Sequence, residues 1–206
     1  IEVAIKSLMA AEGIKDMKTI GELLIYGNQQ LKEAEIDTYI LDCQLLLTKV
    51  LNKNKIYLIL NKDEEVSKLN ENKFKQLIKK RKEIAKFIIE FIKEKNISIY
   101  DEKTGKGLVR HIVTKVGIKT GEIMCVIVIN GHKIPNESEL VENLKTRYPE
   151  IKAIVKNINI KNTNVILGQE NINLYGNGYI EDILGEYKFK ISQLSFYQVN
   201  SVQDEK

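Results

Sequence analysis

The apolar periodicity predicts an α+β fold: a small helical bundle followed by a mostly antiparallel sheet with packed helices. Three observations carry this. From Met17 to about Lys82 the apolar residues recur at helical spacing. From Asn96 onward, short apolar runs alternate with glycine-bearing turns. Within that second region, Pro135 to Pro149 bracket one more helical pattern. A length of 206 residues, 43% of them hydrophobic and 29% charged, suits a soluble chain of one or two domains with a real core.

Taken in order, Ile1 to Asp16 reads as a short amphipathic helical extension through Val3, Ile5, Leu8 and Met9. Met17 reads as an internal start, because a new pattern begins there. Thr19-Ile20-Gly21-Glu22 fits a capping box, and Ile20, Leu23, Leu24, Gly27 and Leu31 follow on one helical face. Asp37 is placed to cap a second helix whose expected face runs through Ile40, Leu41, Gln44, Leu45, Leu47, Thr48 and Leu51. Asn52 and Asn54 break it, and Lys55 to Leu60 is one or two helical turns. Ser67 caps the next helix, with Leu69, Phe74, Leu77 and Ile78 expected inward. Residues 17–82 therefore read as a helical bundle.

At Lys79-Lys80-Arg81-Lys82 the apolar phase carries on into Ile84, Ala85, Ile88, Phe91 and Ile92, so one helix from about Ser67 to Lys95 is expected. The basic run would lie on its outer face, as a solvated turn or a phosphate contact. Beyond Asn96, Asp101 to Gly107 is a polar loop. Arg110 to Val116 and Glu122 to Asn130 form a hairpin, and Asn136-Glu137-Ser138-Glu139 opens a helix with a box-like cap. Further strands are expected at Ile151 to Ile160, Asn164 to Leu167, Ile172 to Tyr175, Tyr179 to Ile183 and Glu186 to Phe196.

Few groups offer chemistry. Cys43 and Cys125 have no metal-ligand spacing, and Cys125 sits in the apolar run Ile123 to Ile129, as a buried inert thiol would. Asp63-Glu64-Glu65, Asp101-Glu102 and Glu181-Asp182 are sequence neighbours that read as solvated charge. His132 reads as a surface turn residue. No Ser-His-Asp set, phosphate-binding loop or zinc pattern is readable. The formal charge of +4 permits a nucleic-acid partner without demanding one. Neither a secretory signal nor a membrane-spanning run is visible, which fits a cytoplasmic protein with no membrane partner.

Two stretches give more. Gly107-Leu108-Val109-Arg110-His111-Ile112-Val113, with the loop before it, and Ser195-Phe196-Tyr197-Gln198-Val199-Asn200 resemble bacterial ribosomal RNA (uracil-5-)-methyltransferases. In that family a Ser-Phe-Phe-Gln-Val-Asn motif closes the central domain and opens the one that binds S-adenosylmethionine. The resemblance covers residues 83–206. It implies that Gln198 contacts the S-adenosylmethionine donor and that Phe196 stacks on a flipped uracil. Arg110, His111 and Lys115 become candidates for ribosomal RNA contact, Arg for its forked donors. Some members hold an iron–sulfur cluster on four cysteines; with two, no cluster is expected here.

The family's Gly-rich donor loop, nucleophilic Cys and catalytic Glu lie downstream of this motif, so the chain is expected to be an incomplete RNA-facing region without turnover of its own. Thr19 to Leu24, Ile36-Asp37 through Leu47, and Tyr57-Leu58 resemble a second family, the N-terminal domain of release-factor glutamine methyltransferases. That resemblance covers residues 17–82 and implies a module that binds a peptide-chain release factor. The family's catalytic Asn-Pro-Pro-Tyr occurs nowhere in the chain. A fusion or mis-assembled frame with no selected function stays open as a third reading.

Overall fold

A computed structural model describes residues 17–36, 38–162 and 165–195, and the chain divides into two compact units between Lys82 and Glu83. The expected extension at Ile1 to Asp16 and the expected cap Asp37 lie outside the described residues. The first unit contains α1 (Ile20–Lys32), α2 (Tyr39–Leu51), α3 (Lys55–Leu60) and the start of α4 (Lys68–Glu94).

The capping box forms as expected. Thr19 Oγ1 accepts from the Glu22 amide at 3.2 Å, and the Thr19 amide donates to Glu22 Oε2 at 2.8 Å. Ile20, Leu23, Gly27 and Leu31 are buried. Gly27 is needed for close approach: a Cβ there would lie 2.6 Å from Cys43 Sγ and 2.9 Å from Phe74 Cζ.

The inward faces of α2 and α4 differ from expectation. On α2 the buried stripe is Cys43, Leu47 and Val50, while Ile40 and Leu41 are exposed. This helix is apolar around most of its circumference, so period alone does not choose a face. On α4, Phe74 and Ile78 are fully buried but Leu69 is 79% exposed. At 100° per residue, Leu69 lies about 140° around the helix from Phe74. The same geometry corrects the basic run. Arg81, three residues after Ile78, turns inward at 6% exposure, and its Nε donates to Asp42 Oδ2 at 2.9 Å. Lys82 Nζ donates to Gln30 Oε1 at 2.8 Å and meets Glu33 Oε2 at 3.2 Å. The run is therefore split: Arg81 and Lys82 leave the solvated face, while Lys79 stays exposed as expected.

The second unit holds the remainder of α4, α5 (Glu137–Arg147) and the strands β1 (Val109–Val116), β2 (Ile123–Ile129), β3 (Ile151–Ile158), β4 (Glu170–Tyr175), β5 (Tyr179–Leu184) and β6 (Tyr187–Ser192). The sheet order is β1-β2-β3-β4. Both outer pairs are antiparallel, and β2-β3 is parallel through the crossover helix α5. One sheet face packs on Ile84, Ile88, Phe91 and Ile92 of α4 and on Leu140, Val141 and Leu144 of α5. The other face, with Met124, Val126, Val128, Ala153 and Val155, is covered by Ile180 and Ile191 of the separate β5-β6 hairpin. All of β2 is buried because it is covered on both sides.

Three details depart from the sequence reading. The final hairpin folds back over the sheet instead of extending it. Residues 165–167 form no strand, because Asn159 Nδ2 donates to the carbonyls of Val165 and Ile166 at 2.7 and 3.1 Å and holds them as loop. At the start of α5, Asn136 is left-handed (φ 56°) and makes no side-chain cap. Glu137 instead meets Lys156 Nζ at 2.7 Å. Among the described residues no helix is long and apolar enough to cross a membrane.

Candidate nucleic-acid interface

Val109, Ile129, Ile158 and Glu170 lie in register across the four strands and mark one end of the sheet. The loops 98–108 and 130–136 and the described limbs 159–162 and 165–169 all adjoin this end. A β-bulge between Val109 and His111 places Arg110 out of the regular alternation. Arg110 is 7% exposed. Its Nη1 donates to the carbonyls of Asn159 and Lys161, both at 2.9 Å, and Nη2 meets the two Glu102 carboxylate oxygens at 3.3 and 3.4 Å. The guanidinium also lies 4.2 Å from the Tyr100 ring centre. Its forked donors are therefore directed into two loops of this chain. His111 is half-buried, with Nε2 3.7 Å from Glu102 Oε1.

Lys115 belongs to a different place. It is five residues further along β1, about 17 Å at strand rise. Its Nζ donates to the carbonyls of Ser192 and Ser195 at 2.9 and 2.8 Å. Burial pushes its ammonium down to about 8. Ser195 Oγ accepts from the Ser192 amide at 3.0 Å and lies 2.8 Å from Ser192 Oγ. The first residue of the Ser195–Asn200 motif is thus tied to Lys115 of β1 and to Ser192 at the end of β6. Phe196 and Gln198 lie outside the described residues. The structure brings Arg110 and His111 together and sets Lys115 apart with Ser195.

Several polar residues with defined tasks do not stand out in the sequence. Asn157, fully buried, donates through Nδ2 to the carbonyls of Gly168 (2.9 Å) and Glu170 (3.3 Å) and to Asn171 Oδ1 (2.7 Å). Its Oδ1 accepts from the Gly168 amide at 2.7 Å. A signal exists all the same: Asn157 and Asn159 interrupt an apolar strand on alternate positions. Asp182, expected as solvated charge, is buried and accepts from the Ile118 and Lys119 amides, both at 2.9 Å. Asp101 accepts from the Lys103 amide and Thr104 Oγ1 at 2.9 Å each, which lowers its carboxyl below the usual range. Both are structural acceptors. Both cysteines are buried, and burial pushes the Cys43 thiol up to about 12. Among the described residues, no three His, Cys, Asp or Glu side chains are grouped to hold a metal ion.

Residues 22–83 match the model of the PrmC N-terminal domain. An uncharacterized RNA methyltransferase of Caldanaerobacter subterraneus is 49% identical over 122 residues, which is 59% of this chain and 27% of that protein. Another from Clostridium acetobutylicum is 50% identical over 124 residues, 60% of this chain and 27% of that protein. One chain carries both likenesses. It spans about a quarter of the length of the RNA methyltransferases it matches. The crystal structure of Pyrococcus abyssi tRNA (uracil-54, C5)-methyltransferase in complex with S-adenosyl-L-homocysteine is 26% identical, with a TM-score of 0.48. That alignment covers 60% of this chain and 29% of the other.

Proposed function

We propose that the second unit is the RNA-facing region of an S-adenosylmethionine-dependent RNA (uracil-5-)-methyltransferase. The observation that carries this reading is the 49% identity over 122 residues with an RNA methyltransferase. The motifs Gly107–Val113 and Ser195–Asn200 supply the finer part, uracil C5 as target and ribosomal RNA as substrate. In this reading Phe196 stacks on the base and Gln198 contacts the methyl donor. Lys115 supports it by fixing the Ser195 end of that motif. The described residues supply no activated nucleophile, since both thiols are buried. The purified chain is therefore expected to retain structured ribosomal RNA in a salt-dependent manner without methylating it. Transfer of labelled methyl groups to uracil C5 would refute the second half, and absence of RNA retention the first.

A second reading concerns the helical unit. We propose that it binds a peptide-chain release factor. Support comes from the PrmC N-terminal domain match and from Ile56, Ile59 and Leu60, exposed at helical spacing on α3. Leu60, the most exposed of them, is 76% accessible. Pull-down of release factor by the chain, lost with Ile56→Ser and Leu60→Ser, is the expected result. Unchanged pull-down by that double variant would remove α3 as the contact.

A further inference from the structure

We propose that the loop-bearing end of the four-stranded sheet receives the phosphate backbone of RNA, with Arg110 as the positioning residue that holds two of its loops. This rests on the RNA-methyltransferase reading for its partner and goes beyond it in naming the surface. Topology gathers the loops. The chain enters β1 and leaves β2 and β3 at the end marked by Val109, Ile129 and Ile158. The carboxyl ends of parallel strands are where ligands commonly sit in open α/β sheets.

Charge separates the two ends. The described loop residues at this end carry exposed Lys103, Lys106, Lys133 and Lys161 against the carboxylates Asp101 and Glu102, with Glu170 and Glu137 at the adjoining ends of β4 and α5. Asp101 accepts from the Lys103 amide and Thr104 Oγ1 and keeps its charge, and Glu102 meets Arg110. The loops of the opposite end carry Lys119 against Glu122 and Glu150, with Lys152 exposed in the adjoining strand. Lysines collected on one end form the electrostatic footprint expected where phosphates bind.

Anchoring makes the arrangement more than a chance of composition. A guanidinium out of water costs several kcal/mol unless its donors are used. Arg110 uses its Nη donors and its flat face to join loop 98–108, through Glu102 and Tyr100, to the limb 159–161, through the Asn159 and Lys161 carbonyls. Lys161, one of the four cations, is thereby held through its own carbonyl. Asn157 and Asn159 fasten the returning limb of the same loop. Two glycines let the loops lie close. A Cβ on Gly168 would stand 1.9 Å from the Ile158 carbonyl oxygen, and one on Gly107 (φ 108°) 2.1 Å from that of Ile99. Surface loops held this firmly are positioned to present side chains.

The test is fluorescence anisotropy of the full chain with a labelled, structured ribosomal RNA fragment, from about 50 to 200 mM salt. The variant K103E/K106E/K133E/K161E changes only exposed side chains and should keep the wild-type melting temperature. It should bind on the order of 10²-fold more weakly, with a salt slope shallower by about 0.7–0.9 for each phosphate no longer neutralised. The control K119E/K152E should bind as the wild type does. Arg110→Lys should weaken binding with the salt slope unchanged, and should speed amide exchange in residues 101–107 and 165–168 only. Wild-type RNA affinity in the quadruple variant, with weakened binding in the control, overturns the assignment and leaves the RNA-methyltransferase reading standing. No RNA binding by the wild type at about 50 mM salt overturns both.

Discussion

The two units use buried polar groups in opposite ways. In the helical unit, apart from the Thr19 cap, buried Arg81 and Glu71 and half-buried Lys82 join side chain to side chain: Arg81 to Asp42, Lys82 to Gln30 and Glu33, Glu71 to Lys68 and Lys75. In the α+β unit they mostly join side chain to main chain. Arg110, Lys115, Asn157 and Asn159 donate to carbonyls, and Asp182 accepts from two amides. The cause is where unsatisfied backbone lies. A helix satisfies its own amides and carbonyls except at its ends. Loops that cross a sheet end or fold over a sheet do not, and every buried backbone group needs a partner. Polar burial in the first unit sets helix against helix; in the second it fixes the loops that carry the exposed cations.

Replacement experiments bear directly on this contrast. Asp42→Ala removes the carboxylate that buried Arg81 Nε donates to and should cost about 3 kcal/mol in chemical denaturation, as removal of one partner of a buried pair does. Replacing both, Arg81→Met with Asp42→Leu, should recover much of that loss, because both members of this pair are then apolar. A main-chain anchor has no such rescue. Asn157→Leu leaves the Gly168 amide and carbonyl without their partner and should cost about 2–4 kcal/mol. No apolar change at Gly168 can restore it. Should the Asp42–Arg81 pair resist double replacement as strongly as Asn157 resists its own, the contrast between the units is wrong.

Lys115 tests the same contrast through pH. Its native value, about 8, lies below the unfolded value near 10.5, so the unfolded chain binds more protons between them. The Lys115 contribution to stability should therefore rise through that window, read as wild type minus Lys115→Met, because the buried Cys43 thiol acts in the opposite sense in both proteins above about pH 9. A difference curve flat from about pH 8 to 10.5 would show that the two carbonyl bonds offset the burial in full. The smallest effect belongs to the capping box. Thr19→Ala should cost about 1 kcal/mol, since one N-cap bond goes and the amide it served can reach water.

Much of the fold was legible from periodicity. The capping box at Thr19, the long helix through Lys82-Glu83, the β1-β2 hairpin and the turn glycines follow from local preferences that act within a few residues. The face of α2, the inward turn of Arg81 and the exposure of Leu69 did not, because an all-apolar or all-basic run is compatible with several rotations of the helix. The candidate site divides in the same way. Arg110, His111 and Lys115 stand out in the sequence as a basic set on one strand. Their separation into a loop anchor and a clamp on Ser195 depends on partners 49 to 80 residues away in sequence.

By itself, then, the sequence determined the order and type of most elements, the strand expected at Asn164 to Leu167 excepted, and the two motifs that resemble RNA methyltransferases, since both are written in near neighbours. Only the tertiary structure decided which cations share one end of the sheet and which polar residues hold them there. Strand register and crossover direction are long-range choices, settled by covering β2 on both faces and by finding partners for loop backbone.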